Sequence, residues 1–136
     1  MEEPFMVRLP MGEDLLDAIT KAFQERSVRK ASFNVIGAVS GCVLAYYDGK
    51  AREYRSREFG DLQEIVSCMG NVSEKDGETF VHAHMCISGH DYQCYGGHLM
   101  RGAPIFAAEL FAVPLSGTVP VREFDEPTGL FLWSGF

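Results

Sequence analysis

Long apolar runs are scarce in this sequence. The longest mostly apolar stretches, Ile36–Val39 and Pro104–Val113, fall well short of the ~20 residues a membrane-spanning helix needs. The chain opens Met-Glu-Glu-Pro-Phe-Met, with neither a basic stretch nor an apolar one after it, so no secretory signal is expected. The four cysteines, Cys42, Cys68, Cys86 and Cys94, form no Cys-x-x-Cys pair. With no export signal they read as reduced thiols of a cytoplasmic protein. Positive charge is also short: 12 Lys and Arg face 19 Asp and Glu, a net charge of −7. That balance argues against a general nucleic-acid binder, which needs clustered cations to hold phosphates. No repeat, linker or low-complexity tract divides the chain, and residues 1–136 read as a single domain. What is present is 46% apolar and 12% aromatic, enough to exclude intrinsic disorder.

Residues 14–26 carry the one clear helical periodicity, with Leu15, Leu16, Ile19, Ala22 and Phe23 recurring at three- and four-residue spacing. Acidic residues open this segment, and Arg26, Arg29 and Lys30 lie at or beyond its end, the order the helix dipole favours. Most of the remainder reads as strand: Phe5–Leu9, Ser32–Val39, Gly41–Tyr47, a polar and exposed Arg52–Phe59, and Leu62–Val72. Thr79–Ile87, Cys94–Met100, Ile105–Val113, Val119–Glu123 and Leu130–Trp133 follow. Ser73–Gly77 reads as the turn between two of these strands. One amphipathic helix with about nine short strands predicts an α+β fold built on a mostly antiparallel, strongly curved sheet.

All four histidines fall between His82 and His98. On a strand, His82 and His84 share a face, with Cα atoms roughly 6.5–7 Å apart. Ser88–Gln93 is rich in turn residues, so the chain is expected to reverse there. If paired residue numbers sum to 180–182, His98 lies opposite His82 or His84 on that same face. Three neutral imidazoles suit zinc, nickel or iron(II) and leave a coordination position open, as catalytic and ligand-binding sites do. The competing reading is a half-buried sheet face whose histidines bond to carbonyls or water. His90, between Gly89 and Asp91, reads as a loop residue outside the site. Cys86 and Cys94 have the parity of the three histidines, yet read as small apolar fillers rather than ligands. Gly96-Gly97 suggests a bulge or a close backbone approach that aims His98. Glu109 interrupts the apolar run Ile105–Val113 and is either a candidate acid/base or supporting group beside the metal, or an outward-facing strand residue.

Several of these pieces occur together in one order: Arg8-Leu-Pro-Met-Gly-Glu-Asp-Leu-Leu16, Ile36-Gly-Ala-Val39, Gly70-Asn-Val-Ser73, His82-Ala-His84, Gly96-Gly-His-Leu99, Ala108-Glu109 and Phe124-Asp-Glu-Pro-Thr-Gly-Leu130. In that combination the chain resembles the plant-and-prokaryote-conserved (PPC) domain family. The resemblance implies an α+β sheet fold, similar to that of acetolactate decarboxylase, assembled as a homotrimer. It also implies a divalent metal, zinc by preference, on His82, His84 and His98. Plant members carry AT-hooks that bind the DNA minor groove, and prokaryotic relatives inherit a predicted DNA-binding label; this chain has no Arg-Gly-Arg-Pro hook.

Three functions follow as expectations. The first is a metal-binding homotrimer with a small-molecule ligand or a zinc-dependent, lyase- or decarboxylase-like activity. The second is DNA association, through the basic groups Arg26/Arg29/Lys30 and Lys50/Arg52/Arg55/Arg57. The third is an interaction scaffold, for which the aromatic tail Leu130–Phe136 is the candidate surface.

Overall fold

The computed structural model describes residues 3–136. Strand β1 (Phe5–Leu9) leads into helix α1 (Leu15–Glu25), followed by β2 (Ala31–Val39), β3 (Cys42–Asp48), β4 (Glu53–Phe59) and β5 (Gln63–Lys75). The chain continues through β6 (Glu78–Ser88), β7 (Cys94–Leu99), β8 (Ile105–Pro114), β9 (Val121–Asp125) and β10 (Leu130–Trp133). The strands form one sheet in the order β1-β8-β2-β5-β6-β7-β3-β4. Among the described residues parallel pairing occurs only between β5 and β9, and β10 pairs with β9. The α+β architecture with a mostly antiparallel sheet is therefore as expected, with ten strands among the described residues. No helix among them is long and apolar enough to cross a membrane.

The helix begins where Asp14 can satisfy it. One carboxylate oxygen accepts from the Asp17 amide at 3.0 Å, and the other accepts from the amides of Gly102 and Ala103 at 2.8 and 2.9 Å. A cap of this kind contributes about 1 kcal/mol, and here it also ties the helix to the segment entering β8. Leu15, Ile19 and Phe23 are fully buried against the inner face of the sheet. The Phe23 ring meets Phe5 and Phe33 at centroid distances of 5.8 and 5.7 Å. On β2, Ala31, Phe33 and Val35 point inward and Ser32, Asn34 and Ile36 outward, the period-two alternation of a sheet covered on one side.

Curvature brings the β4 end of the sheet to the β9–β10 branch that leaves β5. The Tyr47 hydroxyl donates to the Thr128 carbonyl, and the Arg52 guanidinium donates to the Glu126 carbonyl at 2.7 Å. The β3–β4 hairpin thereby meets the turn between β9 and β10.

One local expectation is corrected and a second is narrowed to one of its two alternatives. The predicted Ser73–Gly77 turn shrinks to Asp76-Gly77, whose φ values of 53° and 79° give a two-residue hairpin turn with both central residues left-handed. Ser73, Glu74 and Lys75 belong to β5, paired with Phe80, Thr79 and Glu78. Gly96-Gly97 forms no bulge, since Cys86↔Gly96 and Met85↔Gly97 are in unbroken register. The close approach is what requires glycine: a Cβ on Gly97 would sit 2.8 Å from the Ala45 carbonyl oxygen.

Candidate metal centre

Strand β6 sorts its side chains by parity. Val81, Ala83, Met85 and Ile87 enter the core, which leaves His82 and His84 on the outer face. The β6–β7 register pairs His84 directly with His98, and His82 lies opposite Asn71 on β5. The ring centroids of the three histidines are 5.0, 5.2 and 5.7 Å apart. One ring nitrogen from each can be taken such that all lie within 4.8 Å of one another. His84 is exposed, while His82 and His98 are half-buried.

The donor set fits a small divalent cation. Zinc–nitrogen bonds in tetrahedral geometry place neighbouring ligand nitrogens roughly 3.3–3.4 Å apart, and His82 Nε2 and His84 Nε2 are 3.3 Å apart. The Nδ1 atom of His98 is buried without a hydrogen-bond partner among the described residues, and such an atom is costly unless something meets it. Burial also keeps the His82 and His98 rings neutral, as ligands must be. Desolvation, then the charge of Arg122, then the neighbouring imidazoles push His82 down to about 4. Burial lowers His98 too, followed by His84 and Arg122.

Supporting groups come from elements distant in sequence. The Tyr54 ring of β4 lies 4.7 Å from His98, centroid to centroid, and fixes its orientation. Arg122 of β9 is buried; its guanidinium donates to Ser73 Oγ and Asn71 Oδ1, each at 3.2 Å, and to the Phe131 carbonyl at 3.1 Å. One terminal nitrogen of Arg122 stands 3.5 Å from His82 Nδ1. A guanidinium has donors only, so it departs from the carboxylate or carbonyl that usually accepts the far proton of a metal-ligating histidine. Its action on His82 is through charge. A cleft of about 320 Å³ opens beside this group, with His82, His98 and Arg122 in its wall and Phe80, Leu130 and Phe131 around them.

Of the residues singled out from sequence, His82, His84 and His98 come together; the others do not join them. Glu109 is exposed on β8, paired with Ile36 of β2 and Arg8 of β1. Strands β2 and β5 lie between β8 and β6, so roughly 14 Å separates Glu109 from the histidine strand at ~4.8 Å per strand spacing. Cys86 and Cys94 are not core fillers: Cys86 is half-buried and Cys94 exposed, whereas Cys42 and Cys68 are buried. Their parity with the histidines puts them on the outer face, where the helix does not cover them. His90 lies in the exposed β6–β7 loop, as expected. The basic groups are largely spoken for. Arg29 pairs with Glu74, Arg55 with Asp48 at 2.8 Å, and Arg52 approaches Glu126 at 3.9 Å. Arg122 and Tyr54 had no sequence signal, because each approaches the site only through the tertiary fold; Asn71 lies in the Gly70–Ser73 stretch, but only cross-strand pairing sets it opposite His82.

Residues 1–116 match the family model of the Plants and Prokaryotes Conserved (PCC) domain. A metal-containing protein of Archaeoglobus fulgidus has a similar structure, with TM-score 0.93 and 44% identity, over 98% of this chain and 94% of that one. A plant- and prokaryote-conserved (PPC) protein of Pyrococcus horikoshii aligns with TM-score 0.93 and 32% identity, over 99% of this chain and 93% of its own. A candidate DNA-binding protein of Bacteroides thetaiotaomicron shares the fold, with TM-score 0.89, at 23% identity over 98% of this chain and 93% of its own. No curated protein matches the sequence.

Proposed function

Because the chain belongs to the Plants and Prokaryotes Conserved domain family, we propose that it is a metal-binding member in which His82, His84 and His98 hold one divalent cation. The observation that carries this reading is the convergence of three imidazoles with one ligand-like nitrogen pair at 3.3 Å. The metal-containing relative of Archaeoglobus fulgidus supports it. Three neutral nitrogens make zinc the preferred ion, with a fourth position open to water or a ligand. When bound, such a cation acts as a Lewis acid and brings a coordinated water to a pKa of about 7. The chain's own groups then orient and shield: Tyr54 packs on the His98 ring, burial and after it the charge of Arg122 keep His82 unprotonated, and the cleft admits a ligand to one side. That cleft favours a small-molecule role, of which a lyase- or decarboxylase-like activity is the catalytic form.

Assembly as a homotrimer is part of the same proposal. Met6, Ile36, Met69 and Phe111 are all exposed on the outer face, the face a neighbouring copy would cover. Within one chain Glu109 is too far from the histidines to act on their metal, so any acid–base part it takes is played at another copy's centre. Cytoplasmic location belongs to this reading as well and rests on the cysteine pattern. DNA association is the second reading, suggested by distant relatives of the same fold. Its test is a duplex titration, in which a phosphate binder weakens steeply as salt rises.

The metal is tested directly. Elemental analysis after reconstitution with zinc should find one ion per chain in the native protein and almost none in His98→Ala. Equal occupancy in the two would overturn the assignment.

A further inference from the structure

The wall of the cleft beside the histidines carries more positive charge than its surroundings balance. Arg122 is 9% exposed, and among the described residues no carboxylate lies within 4.0 Å of it or of Lys75. Its hydrogen bonds go to neutral acceptors, the Ser73 hydroxyl, the Asn71 amide and the Phe131 carbonyl, and it stands at the edge of reach of His82. These contacts engage at most four of the five guanidinium N–H groups, so at least one remains for an incoming oxygen. A buried cation without a counter-charge is costly; the Phe80 and Trp133 rings, 5.1 and 5.3 Å from the guanidinium carbon, offset part of that cost but supply no anion.

A second observation is independent of burial. Lys75 and Arg122 are direct partners in the β5–β9 pair, and like charges directly opposite one another repel. Lys75 does not turn away to solvent. Its ammonium lies 3.9 Å from the centroid of Phe131 and 5.5 Å from that of Phe80, over the aromatic wall of the same cleft. The other charged groups there already have partners: Arg52 is held by Glu126 at 2.7 and 3.9 Å, and Glu53 is drawn to Arg55 at 3.6 Å. Two unbalanced cations thus stand at one pole, with apolar and aromatic side chains around them and the histidines alongside.

We propose that this cleft is a subsite for a small organic carboxylate, whose charge is received by Arg122 and Lys75 and whose apolar body packs on Phe80, Phe131 and Leu130. The volume of about 320 Å³ is at the lower end of small-molecule pockets, suited to a compact acid. An arginine N–H beside a lysine ammonium meets a carboxylate with charge-assisted hydrogen bonds. Arg122, Phe131 and Leu130 lie beyond residues 1–116, the part matched by the family model, and face Lys75 and Phe80 from within it, so the terminal hairpin completes the subsite. It deepens the reading of the metal centre, because an acid seated there lies beside His82 and His98 and can turn a donor toward the open coordination position.

The test is calorimetric titration of the zinc-reconstituted full chain with benzoate, benzyl alcohol and inorganic phosphate, with bound metal measured on the same samples. Benzoate should bind at least about tenfold more tightly than benzyl alcohol, a difference of about 1.4 kcal/mol, and more tightly than phosphate. Arg122→Gln should abolish that preference and Arg122→Lys should restore part of it, each compared at equal zinc occupancy, and Lys75→Gln should weaken benzoate several-fold with unchanged metal content. Should Arg122→Gln fail to fold, the Lys75→Gln series alone carries the test. Equal affinity for benzoate and benzyl alcohol, or benzoate binding unmoved by Lys75→Gln, overturns the subsite. Phosphate binding in preference to benzoate overturns the carboxylate class. Benzoate bound selectively by a chain that takes up no zinc would sink the metal reading and leave the subsite standing.

Discussion

The two faces of strand β6 use one backbone for opposite purposes. Val81, Ala83, Met85 and Ile87 on the inner face are at most 7% exposed and pack under α1. One residue along each time, His82, His84 and Cys86 stand on the outer face, where the helix does not cover them. Burial of the inner row stabilises the strand by roughly 1.5–3 kcal/mol for each large side chain. In the outer row His82 and His84 turn their ring nitrogens toward each other, and His98 Nδ1 on the neighbouring strand is buried without a partner. The comparison teaches that the core holds β6 and β7 rigid in register, and that rigidity presents the imidazoles at fixed spacing. Stability and candidate chemistry are thereby separated by a single residue step.

Breaking the inner face should give the largest effect. Ile87→Ala removes a fully buried side chain and should cost about 2–5 kcal/mol in a denaturant titration, while the protein that remains folded still takes up zinc. On the outer face His84→Ala should do the reverse, lowering zinc affinity at least about 100-fold with little change in the stability of the metal-free chain. A variant of either kind that lost both properties together would dissolve the separation.

A smaller effect follows from His82. Its folded pKa of about 4 lies below the ordinary 6.5, so between those values the unfolded chain binds a proton that the folded chain refuses. Stability from this group is therefore fully present above about pH 6.5 and is lost as pH falls toward 4. For the metal-free protein we expect a loss of about 1–2 kcal/mol between pH 7 and 5, read from denaturant midpoints and flattened in His82→Gln. An unchanged midpoint in the native chain would show that the outer face is wetter than its burial suggests.

The cysteines sharpen the same contrast at the lowest energy. Burial pushes the Cys68 thiol up to about 12 and Cys42 to about 11, so both should resist a thiol reagent at pH 7.5 until the protein unfolds. Cys94 is exposed and should be labelled first. Cys94→Ser should change stability by no more than about 0.5 kcal/mol. Labelling of Cys68 at the rate of Cys94 would mean that the inner face opens as readily as the outer.

Much of this was legible in the chain because it depends on short-range periodicity. The spacing of Leu15, Ile19 and Phe23 announced α1, and Asp14 its start. The alternation about His82 and His84, with the turn residues after Ser88, was enough to bring His98 to the same face, and the register chose His84 as its partner. Cys86 and Cys94 were misjudged because residue type favoured burial, whereas the face on which they fall is decided by parity with the histidines. Composition alone marks Ser73 and Lys75 as turn residues. Asp76-Gly77 suffices for the hairpin, and pairing with β6 and β9 claims the rest.

The sequence by itself determined which residues alternate, where the helical periodicity runs and that three histidines share one face, since these are properties of neighbours along a helix, a strand or a turn. Only the tertiary structure decided what surrounds that face. Curvature draws Tyr54 onto His98, and the parallel β5–β9 contact brings Arg122 to Asn71 and His82 from about fifty and forty residues away. Strand order, in turn, holds Glu109 apart. Such placements depend on which distant strands pair and how far the sheet bends, and no local pattern of side chains encodes either.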